Sequence, residues 1–175
     1  MDKLEYIPGD LVMTNGVPLG TAKDVVYRVT SSDPSKTLKL DDGTVLKGVV
    51  CLENIEGAEL GEKGYLLGDC CAWVKDIVPI NLVPAILEKN GWEKSIGWFY
   101  VGEEERGYQF SKELDDKWDE LDRRTYGDLQ ICQCHNLRDW SYINECNHSF
   151  RFEFTYVHEL QHLLYALHID SNLKI

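Results

Sequence analysis

Apolar residues along this chain follow two rhythms, and the change between them falls near Asn81. Before it, short β-branched runs sit between turn signals. Tyr6-Ile7-Pro8-Gly9-Asp10 is a turn that feeds a strand at Leu11-Val12-Met13, and Val25–Val29 is a second run of the same kind. Thr37–Leu40 and Thr44–Lys47 alternate on either side of Asp41-Asp42-Gly43, the pattern of a hairpin with glycine at its turn. Cys71–Ile80 reads as a further strand, with a proline near its end. Short strands without a helical period predict a small SH3-like β-barrel over residues 1–81.

Beyond Asn81 the period lengthens. Pro84–Gly91 reads as a helix, with proline in its first turn and Asn90-Gly91 as its stop. Trp98–Val101 and Tyr108–Phe110 are expected to pair around a loop carrying Glu103, Glu104 and Glu105. Leu114, Trp118 and Leu121 recur at helical spacing in Lys112–Asp122, which Gly127 closes. The carboxylates of Asp115 and Asp119, one turn apart there, are best read as a charged surface. Leu129–Cys132 and Phe150–Phe154 are strand candidates, and the second leads into the strongest helix of the chain. In that helix Thr155 is the expected N-cap, and Val157, Leu160, Leu164 and Leu167 form the apolar stripe. The predicted class is α+β: the barrel, then an α+β unit over 82–175 closed by an amphipathic C-terminal helix.

Composition narrows the function. A formal net charge of −12 over 175 residues argues against a protein that grips phosphate backbones, which needs a basic face. Mimicry of DNA would suit that charge, although acidic surfaces are commonly just solubilising. No apolar run approaches the roughly 20 residues of a membrane-spanning helix. Met1–Tyr6 has neither the basic start nor the apolar stretch of a signal peptide, so the expected place is the cytoplasm of the cell that makes it. Six cysteines in that setting are expected as thiols. Cys51 stands alone, and Cys70 and Cys71 are adjacent.

Two clusters bear on chemistry. His158-Glu159-Leu160-Gln161-His162 matches His-Glu-x-x-His, which on a helix can present two imidazoles to zinc and a glutamate to its bound water. The histidines are set roughly 40° apart around the helix axis. A catalytic zinc also needs a third protein ligand. His168 has the spacing for one, but Tyr165 stands where the related motif has a helix-breaking glycine, and a continuing helix would turn His168 away. The favoured reading is therefore a packing helix with a histidine-bearing polar face and no cofactor. The second cluster, Cys132, Cys134, His135, Cys146 and His148, holds enough soft ligands for a structural zinc, but its spacing is irregular.

Three blocks carry a resemblance: Gly9-Asp10-Leu11-Val12, Pro84–Trp92, and Tyr156–Leu167. In this order they resemble a group of uncharacterised small proteins of Bacteroidetes phages and prophages, which end in a His-x-Leu-Gln-Asn helix followed by a Tyr-Phe-Ala-Leu-like segment. The blocks span about a quarter of the chain, and the last is the specific one. The resemblance implies no activity. It implies that the position of His162 is commonly asparagine, which weakens that residue as a ligand. The resulting expectation is a non-enzymatic phage or mobile-element accessory or virion-associated protein that works through a protein partner. Its rival is a zinc-dependent peptidase using His158, His162 and Glu159.

Overall fold

The computed structural model describes residues 5–16, 23, 25–55, 70–101, 103–112, 129–134, 140–143 and 152–175, which fall into two units, Met1–Ile80 and Asn81–Ile175. In the first unit the buried carboxylate of Asp10 accepts the Ile7 amide at 2.8 Å across the Pro8-Gly9 turn. Gly9 has φ 100°, a left-handed conformation that suits glycine. Its amide donates to the Val29 carbonyl, and the Asp10 carbonyl accepts the Val29 amide, so the chain enters the sheet already paired.

The strands are β1 (Leu11–Thr14), β2 (Tyr27–Lys39), β3 (Val45–Asn54), β4 (Cys70–Trp73) and β5 (Ile77–Pro79), all antiparallel, in the order β4-β3-β2-β1-β5. Alternate residues of β3, among them Leu46, Val50 and Leu52, face inward. Val50 and Leu52 share the core with Tyr6, Val12, Tyr27, Val29, Ala72 and Ile77. The hairpin turn lies where it was expected, with Gly43 at φ 87° and the Thr44 amide bound to the Asp42 carboxylate at 2.8 Å. Its strands are much longer than the runs that announced it.

One expectation for this unit is corrected and another is met in part. Cys71–Ile80 is not one strand, because a 3-10 turn at Val74–Asp76 separates β4 from β5. Asn15 explains the break: its amide reaches the Asp76 carbonyl at 3.0 Å and its side chain reaches the Asp76 carboxylate at 2.9 Å, drawing the chain across to β1. Of the expected barrel, the described residues give the antiparallel strands without closure. Among the described residues no pairing joins β4 to β5, so the architecture is an open antiparallel sheet.

The β2–β3 ladder shifts register between Asp33 and Thr37, where Pro34 has no amide to offer it. The Asp33 carboxylate takes up the slack by accepting the Ser35 hydroxyl at 2.6 Å and the Ser35 amide at 3.0 Å. Those bonds, the hydroxyl's first, hold its carboxyl below the usual range. Opposite this bulge lies Gly48 at φ 72°, where an added Cβ would come within 2.8 Å of the Val74 side chain.

The second unit opens with α1 (Pro84–Lys89), capped at Asn90 and followed by Gly91 at φ 77°, as its sequence anticipates. A meander follows: β6 (Glu93–Val101), β7 (Glu103–Lys112), β8 (Leu129–Cys134), β9 (Trp140–Ile143) and β10 (Phe152–Phe154), in the order β10-β9-β8-β7-β6. Glu103, Glu104 and Glu105 are not in a loop; their backbones pair with Val101, Tyr100 and Phe99. The predicted helix carrying Leu114, Asp115, Trp118, Asp119 and Leu121 lies outside the described residues, as do Phe150 and Arg151. Phe110 and Trp140 meet edge to face at 5.7 Å, and the Trp140 indole N–H donates to the Leu82 carbonyl at 3.1 Å. The chain then ends in α2 (Val157–Ala166) and a tail over 167–175. No helix among the described residues is long and apolar enough to cross a membrane.

Asn90 ties the tail down. Its side-chain NH₂ donates to the carbonyls of Ile86 (2.7 Å) and Lys174 (2.8 Å), and its Oδ1 accepts the Lys174 amide at 2.8 Å. Lys89 Nζ reaches the Ile175 carbonyl oxygen, and the Gln161 side chain holds the Ser171 carbonyl at 3.0 Å.

Two substitutions test these fixed points. Gly48→Ala should cost about 1–3 kcal/mol in a urea titration, from the left-handed backbone and the Val74 contact together. Asn90→Ala should cost about 1–3 kcal/mol and sharply raise hydrogen exchange at the Lys174 amide, leaving β1–β5 protected.

Candidate functional site

The His-Glu-x-x-His segment occupies the first half of α2, where the helix must satisfy amides that have no intrahelical partner. The N-cap is Tyr156, not Thr155, and its side chain makes no cap hydrogen bond. Glu159 supplies that function instead. Its Oε2 accepts the amides of Thr155 at 2.8 Å and Tyr156 at 3.0 Å, the reach-back half of a capping box. A carboxylate placed there also meets the positive end of the helix dipole. The atom that the hydrolase reading needs as a general base is thus engaged in starting the helix.

The two histidines are neighbours, with ring centroids 5.7 Å apart and planes at 80°. His158 also stacks on Tyr156, with centroids at 5.8 Å and planes within 11°. The polar face expected for these residues is not polar in the fold. His158 is 5% exposed and Gln161 4%, so the buried arc of α2 runs from Leu160 and Leu164 through Val157 and Gln161 to His158. His162 is half-buried. Among the described residues no set of three His, Cys, Asp or Glu side chains comes together as a metal site.

His168 is not on a continuing helix. The helix stops at Ala166 with Leu167 as C-cap, and His168 takes φ 57°. Its amide donates to the Tyr165 carbonyl at 3.0 Å, and the Ile169 amide donates to the Leu164 carbonyl at 2.9 Å. Those two bonds make a Schellman motif with histidine in the place usually held by glycine. His168 is exposed and serves as the turning residue of the chain.

Of the second cluster, Cys132 is buried in β8 with Gln109 on one side and Ser141 on the other. Cys134 ends the same strand, its backbone opposite Gly107. His135, Cys146 and His148 lie outside the described residues.

The first unit carries surface features that residue-by-residue reading passed over. Leu38, Leu40 and Val45 are 46%, 38% and 56% exposed at the turn end of the β2–β3 hairpin, Leu38 on the face of its partner Leu46 and Val45 on the other. Lys39↔Val45 and Leu38↔Leu46 are partners there, so the exposed apolar positions alternate between the two faces of the hairpin. A groove of about 270 Å³ lies elsewhere in the unit, lined by Glu5, Tyr6, Ser32, Pro34, Lys47 and Val74. No protein-family model, curated protein or solved structure matches the chain.

Two substitutions separate the roles of α2. Glu159→Ala should cost about 1–2 kcal/mol of unfolding free energy, whereas Glu159→Gln, which keeps an acceptor, should cost well under half of that. His168→Gly should stabilise the protein by about 1 kcal/mol in the same titration, since glycine takes the left-handed position without the Cβ penalty.

Proposed function

We propose that this chain is a non-enzymatic protein-binding module, a phage or mobile-element accessory or virion-associated protein acting in the cytoplasm of a bacterial host. The observation that carries the reading is the apolar hairpin end. Leu38, Leu40 and Val45 leave three large aliphatic side chains exposed around one hairpin end, on both of its faces, which a partner that clasps this end would cover. The capping duty of Glu159 and the burial of His158 speak for α2 as a structural element of that module. The phage assignment rests on the resemblance of Gly9–Val12, Pro84–Trp92 and Tyr156–Leu167 alone.

We read the first unit as an SH3-like barrel in an open form. In its support, β1 lies between β2 and β5, so the first and last strands are neighbours, and a 3-10 turn leads into the last one. The bulged β2 is long enough to serve both halves of such a barrel.

The test places a photo-crosslinking residue at Val45 of the full chain, in phage-carrying cells. A discrete protein adduct that disappears when Leu38→Asp and Leu40→Asp are added supports the module. An adduct indifferent to those changes, or none above a crosslinker placed at Glu53, overturns it. The rival is checked by elemental analysis of protein purified without chelator or histidine tag. Near-stoichiometric zinc that is lost in both His162→Ala and the His158→Ala/His162→Ala pair would replace the module with the hydrolase.

A further inference from the structure

Cys51 and Cys71 lie twenty positions apart in sequence but meet in space. They are direct partners across the β3–β4 ladder, and their sulfurs are 2.9 Å apart. Antiparallel partners have Cα atoms about 4.5 or 5.5 Å apart depending on the pair type, and a disulfide accepts both. Cys71 is exposed and Cys51 half-buried, on the outward side of the sheet, while Cys70 beside them is buried in the opposite direction. The strand period therefore sorts the three cysteines. It gives Cys51 and Cys71 a common, solvent-reachable side and takes Cys70 out of competition. On the other flank the partner of Cys51 is Ser31, and the next pair on the same face toward the 3-10 turn is Val49 and Trp73.

The geometry points to a thiol–disulfide exchange site: Cys51 and Cys71 form a reversible cross-strand disulfide with a low-molecular-weight disulfide such as oxidised glutathione as the oxidant. The Cys71 thiolate, the more exposed of the two, attacks one sulfur of glutathione disulfide. The glutathione S–S bond breaks, one glutathione leaves as thiolate, and Cys71 is left as a mixed disulfide. The Cys51 thiolate then attacks the Cys71 sulfur and expels the second glutathione. The two protein thiols are oxidised by two electrons, glutathione disulfide is reduced to two thiols, and the two protons given up by the cysteines end on them. Excess glutathione runs the steps backwards. An exposed pair of this kind belongs with the reducible, regulatory disulfides and not with the inert structural ones. The product bolts the short edge strand β4 to β3, next to the Val49–Trp73 pair and the turn at Val74. This site is independent of the hairpin end and of any partner that binds there.

The test equilibrates the full reduced chain with glutathione buffers of rising disulfide fraction, quenches with acid, alkylates the remaining thiols, and reads intact mass and peptide maps. The expected result is loss of two thiols in one cooperative step, a Cys51–Cys71 crosslinked peptide, and full recovery on return to glutathione. Cys51→Ser and, separately, Cys51→Ala should stop the reaction at a glutathione adduct on Cys71. Independent loss of the two thiols in the native chain, a crosslink to any other cysteine, or persistence of the two-thiol step in both Cys51 variants would overturn the assignment.

Discussion

In the second unit, the hydrogen bond of one buried indole meets the main chain at Leu82 and ties three segments together there. Trp140, fully enclosed, donates to the Leu82 carbonyl, while the Leu82 amide donates to the carbonyl of Thr155. Thr155 in turn gives its own amide to Glu159. One short relay thus links the segment before α1, strand β9 and the first turn of α2. Leaving any of these groups unmatched in the interior would cost about 1–3 kcal/mol, so the segments are held to one arrangement. The Asn81–Tyr156 bridge continues the same contact by one residue.

That relay also decides how the most suggestive motif of the chain is read. His-Glu-x-x-His carries catalytic meaning only if its glutamate is free to meet a water and its histidines face an open position. In this fold the glutamate is drawn back to the helix start, and the first histidine is packed against Tyr156 inside the buried arc. The same letters therefore serve a helix that must begin abruptly after β10, with a tyrosine where a capping serine or aspartate would ordinarily stand.

Local chemistry made part of the fold legible. Asp-Asp-Gly announces the β2–β3 turn, and Pro84 with Asn90-Gly91 brackets α1, because turn and cap chemistry acts within four positions, even where Asn90 also reaches Lys174. The alternation of Phe152–Phe154 and the apolar period of α2 were equally readable. What stayed hidden depends on distant partners. The break between β4 and β5 is made by Asn15, which no apolar run around Asp76 can reveal. Glu103–Glu105 look like a loop by charge, yet main-chain pairing with β6 does not ask what the side chains are. For the candidate site, the spacing of His158 and His162 was legible, while the burial of one and the capping work of Glu159 were not. The end of α2 at His168 escaped because histidine rarely takes a left-handed turn, and the bonds that stabilise it there run back to Leu164 and Tyr165.

The ties of Asn90 have a consequence for how the protein is made. Its partner Lys174, like Thr155 and Tyr156 opposite Leu82 and Asn81, belongs to the last part of the chain, while Asn90 itself lies near the start of its unit. Emerging from the ribosome, residues 1–80 can complete their sheet while the rest is still being translated. The second unit has no such option. Its α1 and the Leu82 amide find these partners only in residues 155–174, so this half closes after its whole sheet has been made.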